Sequence, residues 1–187
     1  MKNRRLGREL ALKVIFQLDV AGGDPADAFD LATRLMVEDP EGGTPPPTEE
    51  VRDFGRQLLM GTVAHLPELD NMLRSYAREW SLERMANVDR NILRLALYEM
   101  LHLDDVPASV SINEAVELAK IYSTPDSGRF INGILGKIAA TLAPGPETGS
   151  ERAGGKHAGH EGADDGAEAR APSSEPRGEE GGQGDSE

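Results

Sequence analysis

The chain has 187 residues, a formal net charge of −13 and no cysteine, which excludes disulfides, thiolate catalysis and cysteine-held zinc. Net acidity disfavours general attraction to polyanions, so any contact with nucleic acid must be local or helped by a basic partner. No stretch approaches the ~18 apolar residues a membrane span needs, and the basic start lacks the apolar run of a signal peptide, so no membrane contact and a cytoplasmic location are expected.

Charge is unevenly spread. Residues 144–187 carry 11 acidic and 4 basic side chains, 11 of the 21 glycines and no aromatic residue. Such a segment buries too little apolar surface to offset chain entropy, and an acidic, disordered, glycine-rich tail is expected. Residues 1–143, with 22 acidic and 16 basic side chains, suit one domain around one core.

In chain order, the pattern predicts a first helix from about Leu6 to Val20, stopped by Gly22-Gly23. Asp24-Pro25 begins a second, with Asp as N-cap and Pro at the first helical position, ending near Glu38. The prolines of EDPEGGTPPP forbid helix there. Thr48 caps a third, with Glu49 and Glu50 placed well against the helix dipole, and Pro67 marks a break before a fourth. Ser81 is read as the cap of the segment leading into NILRLALYEMLHL. That run leaves little room for a polar face, which makes it the central helix. Ser111 with Glu114 has the spacing of a capping box. STPDSGRFINGILGKI, residues 123–138, forms the last helix, with Thr124 as cap and Pro125 at its first position. No alternating strand pattern is present. The expected fold is all-α, a compact bundle of about six or seven helices around residues 87–103.

Signals for catalysis are poor, and neither an enzyme nor a cofactor is expected. His65 and His102 look isolated on separate helices, and His157-x-x-His160 lies in a tail that supplies no fixed geometry for a metal. Asp104-Asp105 reads as a solvated helix terminus. Gly136-Lys137 lacks the hydroxyl residue, the first glycine and the preceding strand of a phosphate loop.

Helical projection is more informative. In the last helix Ile131, Ile134, Leu135, Ile138 and Leu142 share one face, whereas Phe130 lies off it, in a stripe with Asp126, Gly133 and Lys137. In the first helix Leu10, Ala11, Val14, Ile15 and Leu18 share a face, and Phe16 lies off it, in line with Arg5, Arg8 and Leu12. Residues 1–13 hold five basic side chains and one acidic. Cations beside off-face rings suit single-stranded nucleic acid, where each stacked base contributes ~1–3 kcal/mol. Packing explains the same stripes: Leu12 and Phe16 would fill a second core face, and Gly133 would let a neighbouring helix approach Phe130.

Three stretches, RRLGRELALKVIFQLD, NVDRNILRLALYEML and DVPASVSINEAVELAKIYSTPDSGRFINGILGKI, together resemble the NusB family of bacterial transcription antitermination factors. The resemblance covers nearly all of residues 1–143, least well around 39–48, and leaves out the tail. It implies an all-helical fold of two subdomains without catalysis. It implies binding to the boxA element of ribosomal RNA leaders, a heterodimer with NusE (a small-subunit ribosomal protein), and a place among other Nus factors on RNA polymerase. The family's RNA-contacting positions match Arg4, Arg5, Arg8, Phe16, Tyr76, Asp126 and Phe130, and Arg129 would add a phosphate contact. Its NusE-facing acidic positions match Glu83 and Asp89, which read by themselves as helix-start carboxylates. Some members self-associate through the RNA surface, so a homodimer is left open. Two alternatives compete: a helical adaptor that binds only proteins, and the related domain of rRNA methyltransferases, which would need an α/β domain these residues do not contain.

Overall fold

A computed structural model of the chain describes residues 2–38, 46–77 and 81–142. The proline-rich linker, most of it, and the acidic tail lie outside the described residues. The helices are α1 (Lys2–Ala21), α2 (Pro25–Glu38), α3 (Glu49–Ala64), α4 (Leu66–Tyr76), α5 (Asn87–His102), α6 (Ala108–Tyr122) and α7 (Ser127–Leu142). A 3-10 turn, Leu82–Arg84, precedes α5, and no strand occurs among the described residues. The all-α expectation holds.

Local chemistry sets several boundaries. Gly22 and Gly23 end α1 with φ of 69° and 117°, a region side chains rarely enter. Asp24 Oδ1 accepts from the amides of Ala26 and Asp27 at 2.9 and 3.0 Å, so it is the N-cap of α2. Thr48 Oγ1 accepts from the Val51 amide and caps α3.

Three expected starts differ. Ser81 does not cap the central helix; it precedes the 3-10 turn, and α5 begins after Ala86. Ser111 and Glu114 form no capping box, because α6 already begins at Ala108. Ser111 is buried inside the helix, and Glu114 reaches away to Arg5. The last helix begins at Ser127, so Pro125 and Asp126 form the turn before it. Boundary shifts of one or two residues are ordinary, but Ser111 is a true misreading: its hydroxyl spacing fits a cap, and its burial fits a core position.

α1, α2 and α3 pack on one another, and α5, α6 and α7 do the same; α5 also touches α1, α3 and α4. This matches two helical groups joined through α5. One hydrophobic core runs through both, including Leu10, Ile15, Leu58, Leu69, Ile92, Leu97, Ile131 and Leu135. Each such buried side chain contributes roughly 1.5–3 kcal/mol of transfer free energy. α1 crosses α3 where two glycines meet: a Cβ on Gly55 would stand 2.9 Å from the Gly7 carbonyl oxygen. Gly133 and Gly136 of α7 do no such thing. A Cβ on Gly133 or Gly136 would meet nothing within 4 Å, so close helix packing does not explain them. Leu142 leaves the buried face and is exposed at the end of α7.

Polar groups also hold α5 in place. Arg94, buried in the apolar run, makes two 2.7 Å hydrogen bonds to Asp70 of α4 and longer ones to Asp19 of α1. Burial opposes ionisation of Asp19, but bonds from Arg90 and Asn91 and the charge of Arg94 hold its carboxyl below the ordinary range. His65 and His102, expected to be isolated, meet with ring centroids 4.4 Å apart.

Candidate nucleic-acid interface

α1 and α5 run antiparallel. Arg8 of α1 meets Glu99 of α5, and eleven residues later Asp19 meets Arg90 and Asn91. The expected RNA-contacting residues therefore divide between the two ends of α5.

At the C-terminal end of α5 sit the three arginines, each held by a carboxylate of this chain. Arg4 donates to Asp105 at 2.6 Å, so Asp105 is a partner and not merely a solvated terminus. Arg5 binds Glu114 with both Nε and Nη2, at 3.0 and 2.9 Å. Arg8 binds Glu99 at 2.5 Å, with Glu114 3.7 Å from its other terminal nitrogen. The guanidiniums of Arg4 and Arg8 also lie 5.0 and 5.2 Å from the Phe54 ring centroid. The Arg5 hydrogen bond, against some burial, holds the Glu114 carboxyl below its ordinary value.

Exposure separates the three. Arg4 and Arg5 keep more than a third of their side chains in water, whereas Arg8 is 4% exposed. A direct phosphate contact by Arg8 does not fit this placement. Its charge is spent on Glu99, itself 1% exposed, and removing Arg8 would leave a buried carboxylate without its cation.

The N-terminal end of α5 looks different. Asp89, in its first turn, is nearly buried and accepts from the Ser127 hydroxyl at 2.9 Å. Ser127 Oγ lies 3.0 Å from Ser123 Oγ and 2.8 Å from Thr124 Oγ1. This hydroxyl cluster fixes the entry of α7 against α5. Asp89 is thus not a surface group facing a partner; it positions the turn that carries Asp126.

Around that turn the chemistry faces solvent. Asp126 and Arg129 are exposed, and Phe130 is half-buried against the core. Phe16 lies three residues before Asp19, toward the same end of α5, and is 38% exposed. Leu12 is buried, so the second core face takes Leu12 and leaves Phe16 outside. From Arg4 to Phe16 is about 18 Å along the helix at 1.5 Å per residue, so a nucleic acid touching both would have to span several nucleotides.

Tyr76 ends α4, half-buried on the core. Two residues before it Arg74 donates to Glu83 at 3.1 and 3.3 Å. Glu83 is exposed; bonds from Ser81, its own amide and Arg74 hold its carboxyl down to about 2. It remains a surface carboxylate throughout the ordinary pH range.

The carboxylates that bind the arginines were missed in the sequence. The available signal was Arg94 and Glu99, two charges inside an otherwise apolar run, since a buried charge requires a partner.

A family model described as the NusB family matches residues 5–140. The transcription antitermination protein NusB of Desulforamulus reducens is 53% identical over 135 residues, covering 72% of this chain and 88% of that protein. That of Symbiobacterium thermophilum is 50% identical over 136 residues, covering 73% and 88%. Among solved structures, T. maritima NusB superposes with a TM-score of 0.65 at 34% identity, covering 75% of this chain and 93% of that one. A chain from the crystal structure of the antitermination factors NusB and NusE in complex with double-stranded RNA does so with a TM-score of 0.65 at 25% identity, covering 75% and 98%. The match runs from the arginines of α1 into the last turns of α7, and this chain belongs to the NusB family.

Proposed function

We propose that this chain is a transcription antitermination factor that binds the boxA element of ribosomal RNA leader transcripts together with NusE. The observation that carries the reading is the open chemistry at the N-terminal end of α5. There Phe16 is exposed off the core face of α1, and Asp126, Arg129 and Phe130 stand at the entry of α7. The NusB and NusE structure with RNA supports it, as a likeness spanning 75% of this chain.

In this reading Phe16 and Phe130 offer ring faces to bases, Arg129 neutralises a phosphate, and Asp126 accepts from a base amino group. Tyr76 adds a third ring. Arg4 and Arg5 exchange Asp105 and Glu114 for phosphate, while Arg8 holds α1 in register. Glu83 meets basic side chains of NusE, and Asp89 acts through Ser127 on the α7 entry. Other Nus factors and RNA polymerase complete the assembly. NusE supplies the positive charge this acidic chain lacks.

Titration of labelled boxA RNA into the full chain, with and without NusE, tests the reading. Affinity rises strongly with NusE; equal affinities would sink the idea. The internal pairing of all three arginines favours a second reading, an adaptor that binds NusE and leaves RNA to its partner. Crosslinking of boxA RNA within the complex decides: crosslinks to Phe16 or Phe130 support direct binding, and crosslinks to NusE alone support the adaptor.

A further inference from the structure

We propose that His65, Glu68 and His102 form a binding site for a divalent transition-metal ion of the zinc type. The residues come from three places in the fold. His65 lies at the elbow between α3 and α4, Glu68 in the first turn of α4, and His102 at the last position of α5. Their nearest ligand atoms all lie within 4.8 Å of one another.

Both imidazoles are oriented. His65 Nδ1 is 2.8 Å from the Gly61 carbonyl oxygen. A carbonyl only accepts, so Nδ1 carries the proton and Nε2 presents its lone pair. A ligating histidine anchored through its other nitrogen has this arrangement. The His102 ring stacks on Tyr98, with centroids 4.8 Å apart and planes 29° from parallel. Tyr98 fits there because residue 61 is glycine; a Cβ would stand 2.0 Å from the tyrosine ring. Gly61 therefore fixes both histidines, one through its carbonyl oxygen and the other through its missing side chain.

The third ligand can move. His102 Nε2 is 4.0 Å from Glu68 Oε2, and the Glu68 side chain is 52% exposed. Ligand bonds of about 2.0–2.2 Å place tetrahedral donors about 3.4 Å apart. Rotation of the exposed Glu68 side chain can close the 4.0 Å separation from His102. Two imidazole nitrogens and one carboxylate oxygen suit zinc and its neighbours more than magnesium or calcium, which take oxygen. A fourth position is left to water. An ion here would tie the α3–α4 elbow to the end of the central helix, and binding to the native state alone raises the unfolding temperature.

The test uses the full chain, stripped with chelator and titrated with zinc chloride by calorimetry and thermal unfolding. Glu68→Ala and His102→Gln are compared with wild type and with the tail variant His157→Gln/His160→Gln. One ion binds wild type and the tail variant, and each raises its unfolding temperature with zinc. Affinity falls about 100-fold in Glu68→Ala and His102→Gln, at least as much as loss of an outer-shell partner causes. Helical circular dichroism without metal shows that both variants fold. Cobalt in place of zinc gives visible absorption that the same two variants lose. Full affinity in those variants, loss of binding in the tail variant, or no binding by wild type would overturn the proposal.

Discussion

The two ends of α5 carry opposite electrostatic designs. At its C-terminal end Arg4, Arg5 and Arg8 face Asp105, Glu114 and Glu99, so the three arginines of the most basic segment are paired within the fold. At its N-terminal end the buried carboxylate Asp89 accepts from the Ser127 hydroxyl, and Asp126 and Arg129 are left to solvent. The difference teaches that a run of cations in a sequence is not yet a positive surface. What matters for a polyanion is how much charge remains after the fold has used its share.

The sharpest way to break this comparison is to remove one buried partner. Glu99→Ala leaves the buried Arg8 only its 3.7 Å contact with Glu114, and stability falls by about 3–5 kcal/mol. Urea unfolding measures it, and a loss under about 1 kcal/mol would mean that Arg8 reaches water. Joint replacement by Arg8→Met and Glu99→Leu restores most of the loss, since an apolar pair needs no desolvated charge.

Next come the rings at the other end. Phe16→Ala and Phe130→Ala each weaken boxA binding in the NusE complex by about 1–3 kcal/mol. Phe16 is the cleaner probe because it lies off the core face; its removal leaves the unfolding temperature nearly unchanged. A loss of several kcal/mol in stability for Phe130→Ala, without a change in RNA affinity, would make that ring core.

Salt dependence separates the two cation sets more finely. Arg129→Ala lowers the slope of log affinity against log salt by about one, the signature of one lost phosphate contact. Arg5→Ala lowers it by less, because Glu114 already compensates that charge. Glu114→Gln then raises RNA affinity at low salt. Equal slopes for Arg5→Ala and Arg129→Ala would erase the distinction between the ends.

Acid tests the ion pairs directly. The Glu114 and Asp19 carboxyls are depressed in the folded state. Their stabilisation is complete above the unfolded-state values, 4.5 and 3.8, and is lost as pH falls through the lower folded values. Thermal unfolding from pH 6 to 3 follows it, and Glu114→Gln flattens the fall. The smallest effect is at Gly133: with open space around a new Cβ, Gly133→Ala stabilises α7 by up to about 1 kcal/mol. A simultaneous loss of RNA affinity would show that bare backbone is needed beside Phe130.

Much of the fold was legible because its signals are local. Asp24 and Thr48 cap where hydroxyl or carboxylate chemistry precedes apolar periodicity, and Gly22-Gly23 stops α1 because positive φ suits glycine. Projection also placed Ile131, Ile134, Leu135 and Ile138 inside and Phe16 off the main apolar face, since a 3.6-residue repeat fixes faces without any partner; that Phe16 is exposed and does not fill a second core face came from packing. Ser111 misled because a capping pattern and a buried serine use the same residue types.

The sequence by itself determined the helical class, the central place of residues 87–102, and the family, through the ordered blocks of α1, α5 and α6–α7. Tertiary structure alone decided which charges are free. Glu99 lies 91 residues from Arg8, and Glu114 lies 109 from Arg5. It also brought His65 to His102, which no local pattern joins. Helix periodicity reports what a residue does within one turn of its own chain. Ion pairing and ligand geometry depend on which turns of other helices arrive beside it, and only packing sets that.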